Sequence, residues 1–163
     1  MLEKIFLIGF MGSGKTFLGR ELARRINREF YDLDQEVQKK TLRIIENFFI
    51  NKQEREFRIA ESTILCGWTA PGVIATGGGI IELPINRDFL KKNENLVIWL
   101  HPAWNTLYNR IKKSSRPLVK DLKREELRRL WLRRLPLYRE CADIIYSGLT
   151  LTGLLELLKK TAL

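Results

Sequence analysis

Cysteine and histidine are scarce in this chain of 163 residues, which has two of the first (Cys66 and Cys141) and one of the second (His101). Two cysteines far apart in apolar surroundings read as buried thiols in a reducing compartment, not as a disulfide or a metal pair. A single histidine cannot complete a metal centre or a nucleophilic relay, so His101, just before Pro102, is expected to be structural or exposed. No run of about 18 apolar residues is present, which excludes a membrane-spanning helix. Met1–Lys4 leads straight into an apolar segment and leaves no room for a signal or transit peptide, so a cytoplasmic home is expected. Acidic residues are also in short supply, with 19 Asp and Glu against 29 Lys and Arg and a formal net charge of +10. The excess is concentrated between Arg110 and Arg134, where eleven basic residues meet three acidic ones. Such a segment suits the capture of small anionic substrates, or is a solvated helix face. Nucleic acid is disfavoured as a partner, because no cluster of aromatics interleaves the basic residues and no nucleic-acid motif is present.

What is there begins with Gly9-Phe10-Met11-Gly12-Ser13-Gly14-Lys15-Thr16, which fits the phosphate-loop pattern G-x-x-x-x-G-K-[ST]. The apolar Lys4-Ile5-Phe6-Leu7-Ile8 before it reads as a buried strand, and the segment from Phe17 onward as an amphipathic helix. That order places backbone N–H groups and a helix N-terminus around phosphate oxygens. Lys15 would neutralise the β- and γ-phosphates, and the Thr16 hydroxyl would ligate Mg²⁺. Length suits one domain with a sizeable core.

Strands are expected at 4–8, 29–32, 72–75, 96–100 and 142–146, and helices at 15–27, 34–40, 43–50, 53–66, 84–92, 103–112, 123–135 and 151–160. Val73-Ile74-Ala75 and Leu96-Val97-Ile98-Trp99-Leu100 are continuous apolar runs, as in strands covered on both faces. The alternation implies a three-layer α/β/α fold around an open parallel sheet. Lys112-Lys113-Ser114-Ser115-Arg116-Pro117 reads as a mobile loop. The tryptophans at 68, 99, 104 and 131 read as packing residues.

Three further sites stand out. Asp32 and Asp34 close a strand and would share a face if the strand extended that far, one reaching Mg²⁺ and the other a substrate hydroxyl. Asp34 as N-cap of the next helix is the alternative. Thr76-Gly77-Gly78-Gly79 follows the third strand and either lets a ligand touch the backbone or is an ordinary loop. Arg58, Arg116 and Arg134 could clamp a carboxylate or phosphate, or lie on the surface.

Taken in order, the phosphate loop, Asp32-Leu33-Asp34, Glu54-Arg55-Glu56-Phe57-Arg58, Gly77-Gly78-Gly79, Arg116-Pro117-Leu118 and Arg134-Leu135-Pro136-Leu137-Tyr138 resemble shikimate kinase. The resemblance runs from about residue 3 to 146. It implies five parallel strands in order 2-3-1-4-5 and transfer of the ATP γ-phosphate to the 3-hydroxyl of shikimate, a step of chorismate and aromatic amino-acid biosynthesis. It implies a single kinase domain over 1–163, with a core of 1–32, 70–110 and 140–163, substrate-binding helices at about 33–69 and a lid at about 112–122. By position, Gly12, Ser13, Gly14, Lys15, Thr16 and Phe17 would hold the ATP phosphates, and Arg110 would lie against adenine. Thr16, with Asp32 through water, would hold Mg²⁺. Shikimate would sit on Asp34, Arg58, Gly78, Gly79 and Arg134, with Glu61 steadying Arg58. Lys15, Asp34 and Arg116 would be the catalytic set, Arg116 arriving with the lid. A monomer is expected.

The chain also departs from that family. Phe17 stands where a second hydroxyl residue is usual, Gln53 replaces a glycine, and Thr41-Leu42-Arg43 replaces a Gly-x-Ser helix start. Tyr146-Ser147-Gly148-Leu149-Thr150 lacks the Asp-Thr and following Arg of the adenine loop. Two other readings remain open at this point: another small-molecule kinase of the same fold, such as one resembling gluconate kinase, and a catalytically weak nucleotide-binding regulator.

Overall fold

The computed structural model describes residues 3–114 and 117–161. Five strands, β1 (Lys4–Ile8), β2 (Phe30–Asp32), β3 (Gly72–Ala75), β4 (Asn95–Leu100) and β5 (Ile144–Tyr146), form one sheet in the order β2-β3-β1-β4-β5. Every neighbouring pair is parallel. The expected fold class and strand order are therefore both observed. Helices α1 (Lys15–Arg25), α2 (Leu33–Thr41), α3 (Ile45–Ile50), α4 (Glu54–Cys66), α5 (Pro84–Leu90), α6 (Trp104–Ile111), α7 (Pro117–Asp121), α8 (Arg124–Cys141) and α9 (Leu151–Thr161) cover its faces.

Strand alternation sorts the core into two layers. Phe6 and Ile8 of β1 point to one face with Ile74, Val97 and Trp99, where they meet apolar residues of α2, α4, α5 and α8. Ile5 and Leu7 point to the other with Val73 and Ile98, against Leu18 and Leu22 of α1 and Leu154 of α9. Because both faces are covered, the strands need no polar alternation, which explains their continuous apolar runs.

Three elements differ from expectation. β2 ends at Asp32, and Asp34 already belongs to α2, so strand alternation does not relate the two carboxylates. α8 runs on to Cys141 through Pro136 instead of stopping at 135. A proline there removes one helix hydrogen bond at a cost of about 3 kcal/mol. Continuing the helix buries Tyr138 and Cys141 in the core and lets the Tyr138 hydroxyl donate to the Gly78 carbonyl. The C-terminal part of the expected lid forms the short helix α7. Ser115 and Arg116 lie outside the described residues.

Candidate active site

The carboxyl ends of β1, β2 and β3 open into a cleft of two adjoining chambers. The first, about 420 Å³, is lined by Met11 to Leu18, Asp32, Asp34, Thr76, Gly77, Gly78, Arg110 and Leu149. Its floor is the phosphate loop. Gly12 (φ +78°) and Gly14 (φ +96°) hold left-handed backbone conformations that a side chain would strain. Gly14 also stands at the N-cap of α1 without a side-chain cap. The loop and first helical turn thus face the chamber as a backbone nest for anions. Lys15 is buried, and its ammonium donates to the carbonyls of Gly9 (2.7 Å) and Phe10 (3.1 Å) and to Ser13 Oγ (3.3 Å). Arg110, from α6, braces the loop from outside, its Nη1 donating to the Gly12 carbonyl at 3.0 Å.

At the mouth of this chamber the Thr16 hydroxyl donates to Asp32 Oδ2 at 3.0 Å. The other oxygen of Asp32 accepts from the Asp34 amide at 3.2 Å. Asp32, not Asp34, is therefore the N-cap of α2. The cap anchors one carboxylate beside Thr16. The first turn of α2 carries the second, Asp34, to the boundary between the chambers.

The second chamber, about 260 Å³, shares Met11, Asp34, Gly77 and Gly78 with the first and adds Arg58, Gly79, Arg134 and the apolar Ile45, Phe49, Phe57 and Leu118. Its two arginines come from different helices, and each is held by acids. Arg58 of α4 pairs with Glu61 (2.8 Å) and Glu54 (3.3 Å). Arg134 of α8 is 3 % exposed and binds Glu82, with its Nε donating at 2.7 Å. Its guanidinium also lies 5.7 Å from the centre of the Phe10 ring. The glycines matter here for space. A Cβ on Gly79 would fall within 2.5 Å of the Arg58 guanidinium, and one on Gly77 would collide with Glu61 Oε1.

The electrostatics follow from burial and these pairs. Glu61 is fully buried, and burial pushes its carboxyl up to about 7 against the pull of Arg58, with the neighbouring Asp34 charge pushing the same way. Burial disfavours the charge on Arg58, yet the Glu61 and Glu54 carboxylates hold its pKa above the ordinary value. Burial would raise Glu82, but the Arg134 charge beside it holds its carboxyl below the usual range. Burial also pushes the Tyr138 hydroxyl up, so it stays a donor to Gly78.

Gly12, Ser13, Gly14, Lys15, Thr16, Phe17, Asp32 and Arg110 thus gather in one chamber, Arg58, Gly79 and Arg134 in the other, and Asp34 and Gly78 between them. Arg116 lies outside the described residues. His101 stacks on Trp99 at 4.2 Å, away from either chamber, and the four tryptophans pack as expected. Sequence reading missed Glu82, and it quoted Glu54 in a motif without its role as a partner of Arg58. Glu82 lies 52 positions from the arginine it holds, with no local pattern to mark it. Leu149 at the rim was also missed, although the divergent loop around it was a signal.

The chain is similar to known proteins in sequence and in fold. The sequence profile of the family described as shikimate kinase matches residues 11–152. The shikimate kinase of Dictyoglomus turgidum is 39% identical over 152 residues, covering 89% of this chain and 87% of its own. That of Streptococcus thermophilus is 37% identical over 147 residues, covering 86% and 88%. The solved structure of shikimate kinase from Acinetobacter baumannii in complex with shikimate superposes with a TM-score of 0.82 at 32% identity, covering 98% of this chain and 94% of that one.

Proposed function

The chain belongs to the shikimate kinase family, and from that premise we propose that it transfers the γ-phosphate of ATP to the 3-hydroxyl of shikimate, a step of aromatic amino-acid biosynthesis. One observation carries the reading. A phosphate-binding chamber and a chamber with two acid-braced arginines meet at a single carboxylate, Asp34. A kinase needs this arrangement, with donor and acceptor in separate pockets and one polar group where they touch.

The acceptor is a small carboxylic acid with hydroxyls. Arg58 and Arg134 bind its carboxylate, because a guanidinium fork matches two carboxylate oxygens. Asp34 receives its hydroxyls, orients the attacking one and accepts its proton. Gly78 and Gly79 let the ring lie close to the backbone. On the donor side, residues 12–17 hold the phosphates and Lys15 turns from the loop carbonyls to the transferring group. The transition state of such a transfer is loose, so alignment and charge neutralisation supply most of the rate. Arg116 completes the charge as the segment 112–122 closes. Leu118 of α7 already lines the acceptor chamber, which supports that placement. The remaining chain divides into the core 1–32, 70–110 and 140–163 and the acceptor-binding helices 33–69.

The Thr16 hydroxyl and the Asp32 carboxylate are hard oxygen donors 3.0 Å apart. They fit Mg²⁺, which takes one or two protein oxygens and fills its shell with water and phosphate. Among the described residues no group of three or more His, Cys, Asp or Glu forms a metal cage. The ion, when bound, offsets phosphate charge. A monomer is part of this reading, and two free thiols suit the cytoplasm. Among the described residues no helix is long and apolar enough to cross a membrane.

ADP release with Mg²⁺ and ATP, measured against shikimate, gluconate and nucleoside monophosphates, tests the reading. Release dependent on shikimate is expected. Equal or faster release with any other acceptor contradicts it.

A further inference from the structure

An arginine offers more than one edge to a ligand, and a long side chain does not by itself decide which edge is presented. At Arg134 the choice falls to Glu82. Its Oε1 lies across one edge of the guanidinium, 2.7 Å from Nε and 2.6 Å from Nη2. Arg134 lines the acceptor chamber and Glu82 does not. The edge that Glu82 takes is therefore turned from the chamber, and the Nη1 end is what remains for a ligand. Arg58 differs, because both of its acids, Glu54 and Glu61, lie on its own helix.

The Glu82 carboxylate is firmly mounted. Glu82 ends the tight turn Ile80–Glu82 that follows the glycine run. Its amide donates to the Gly79 carbonyl at 3.0 Å. Arg87 Nη1 donates to the carbonyls of Ile81 (2.9 Å) and Glu82 (3.2 Å), and the buried Asn86 donates to that of Ile80 (2.9 Å). A mounted anion orients its longer, more rotatable partner. Without it the guanidinium has other acids to turn to. Asp34 and Glu61 share its chamber, and Glu61 already feels the Arg134 charge. A buried cation is costly without a counter-charge, and either acid would draw Arg134 into the space that an acceptor must fill.

We propose that Glu82 is a positioning residue for the reaction. By holding the Nε edge of Arg134, it aims the other end at the acceptor's carboxylate and keeps it off Asp34 and Glu61. Glu82 thereby sets acceptor affinity without touching the acceptor. The proposal rests on the reading of the second chamber as the acceptor site.

Steady-state kinetics with shikimate, together with calorimetry of ADP, test it on Glu82→Ala, Glu82→Gln, Glu82→Asp, Arg134→Ala and the double variant Glu82→Ala/Arg134→Ala. The carboxylate contact is made alike in ground and transition states, so its misalignment shows in KM. Glu82→Ala should raise the KM for shikimate about tenfold, with kcat within about twofold and ADP affinity unchanged. Glu82→Gln keeps an oxygen that accepts from Nε and should stay within about threefold of the unaltered chain. In the Arg134→Ala background Glu82→Ala should change nothing further. An unchanged KM in Glu82→Ala overturns the proposal, as does an equal KM rise in the Arg134→Ala background or a parallel loss of ADP affinity. Should Glu82→Ala not fold, Glu82→Asp decides. Its shorter acid keeps the charge but pulls the guanidinium back, so KM should rise, and an unchanged KM overturns the proposal. Shikimate-dependent ADP release by the unaltered chain with an unchanged KM in Glu82→Ala defeats this inference alone. No such release defeats the acceptor reading as well.

Discussion

Glu61 shows how far one residue's setting can govern the acceptor chamber. Its carboxyl is fully buried and pushed up to about 7 by burial, while Arg58 sits 2.8 Å away. The folded protein therefore keeps this proton between about 4.5 and about 7, where the unfolded chain has already lost it. Stability should fall as pH rises through that window and then level off. Thermal unfolding as a function of pH should show the decline in the unaltered protein and not in Glu61→Gln. The same proton bears on ligand binding. Below about 7 a neutral Glu61 leaves the Arg58 charge to an incoming carboxylate, and above it the ionised Glu61 competes. Shikimate should bind with proton uptake near neutral pH, seen as a dependence of the calorimetric heat on buffer ionisation, and Glu61→Gln should abolish that dependence. The other charges facing Glu61 are Asp34 and Arg134. The two aspartates should separate in their response to metal. Asp32 caps α2 and bonds Thr16. Asparagine caps a helix as well as aspartate does, so Asp32→Asn should fold normally and raise the Mg²⁺ concentration needed for half-maximal rate. Asp34→Asn should cut turnover with that requirement unchanged. An identical response of the two variants to added Mg²⁺ contradicts the division of roles.

At the scale of elements, the phosphate loop, the parallel sheet and the chain order of the site were legible because each has a local cause. Glycines at fixed offsets set the loop, and double-sided burial sets the strands. The end of β2 was not legible. Asp32 and Asp34 fit a strand face or a helix cap equally well, and only the amide of Asp34 pointing back to Asp32 decides between them. Pro136 misled in the same way, because its local cost argues for a helix end while burial of Tyr138 and Cys141, a tertiary effect, overrides it. The departures from the family pattern near α3 also gain a reason. Arg43 donates to Gln53, reaches Glu56 at 3.3 Å and lies 4.2 Å over the Phe48 ring, so two unusual residues lock one corner together. Leu42 ends α2 in the left-handed region at φ 54° with its side chain 90 % exposed. Leu42→Gly removes that strain and loses no packing. It should stabilise the protein by about 1 kcal/mol, read as a rise in Tm with turnover unchanged.

The whole molecule joins two pockets through one sheet. The parallel strands end on the same side, so the loops after β1, β2 and β3 deliver the phosphate loop, the aspartates and the glycine run to one edge. The helices between β2 and β3, together with α8, supply the second pocket and its arginines. Residue type and the family resemblance pointed to Arg58 and Arg134 as a clamp, but not to what holds Arg134 in place, because its partner Glu82 is 52 positions away on another element. Loss of either should weaken shikimate binding about 10- to 150-fold, the worth of a charge-assisted bond, and leave ADP affinity unchanged. Calorimetry on Arg58→Ala and Arg134→Ala checks this, and a variant that loses ADP but keeps shikimate contradicts the assignment of the chambers. The meeting of the two pockets at Asp34 is tested most directly by identifying the product. Proton-coupled phosphorus NMR of a reaction containing the protein, Mg²⁺, ATP and shikimate reports which oxygen has been phosphorylated. A phosphate coupled to the proton on carbon 3 of shikimate is the expected result. Phosphate on another hydroxyl, or free phosphate with shikimate unchanged, would contradict it.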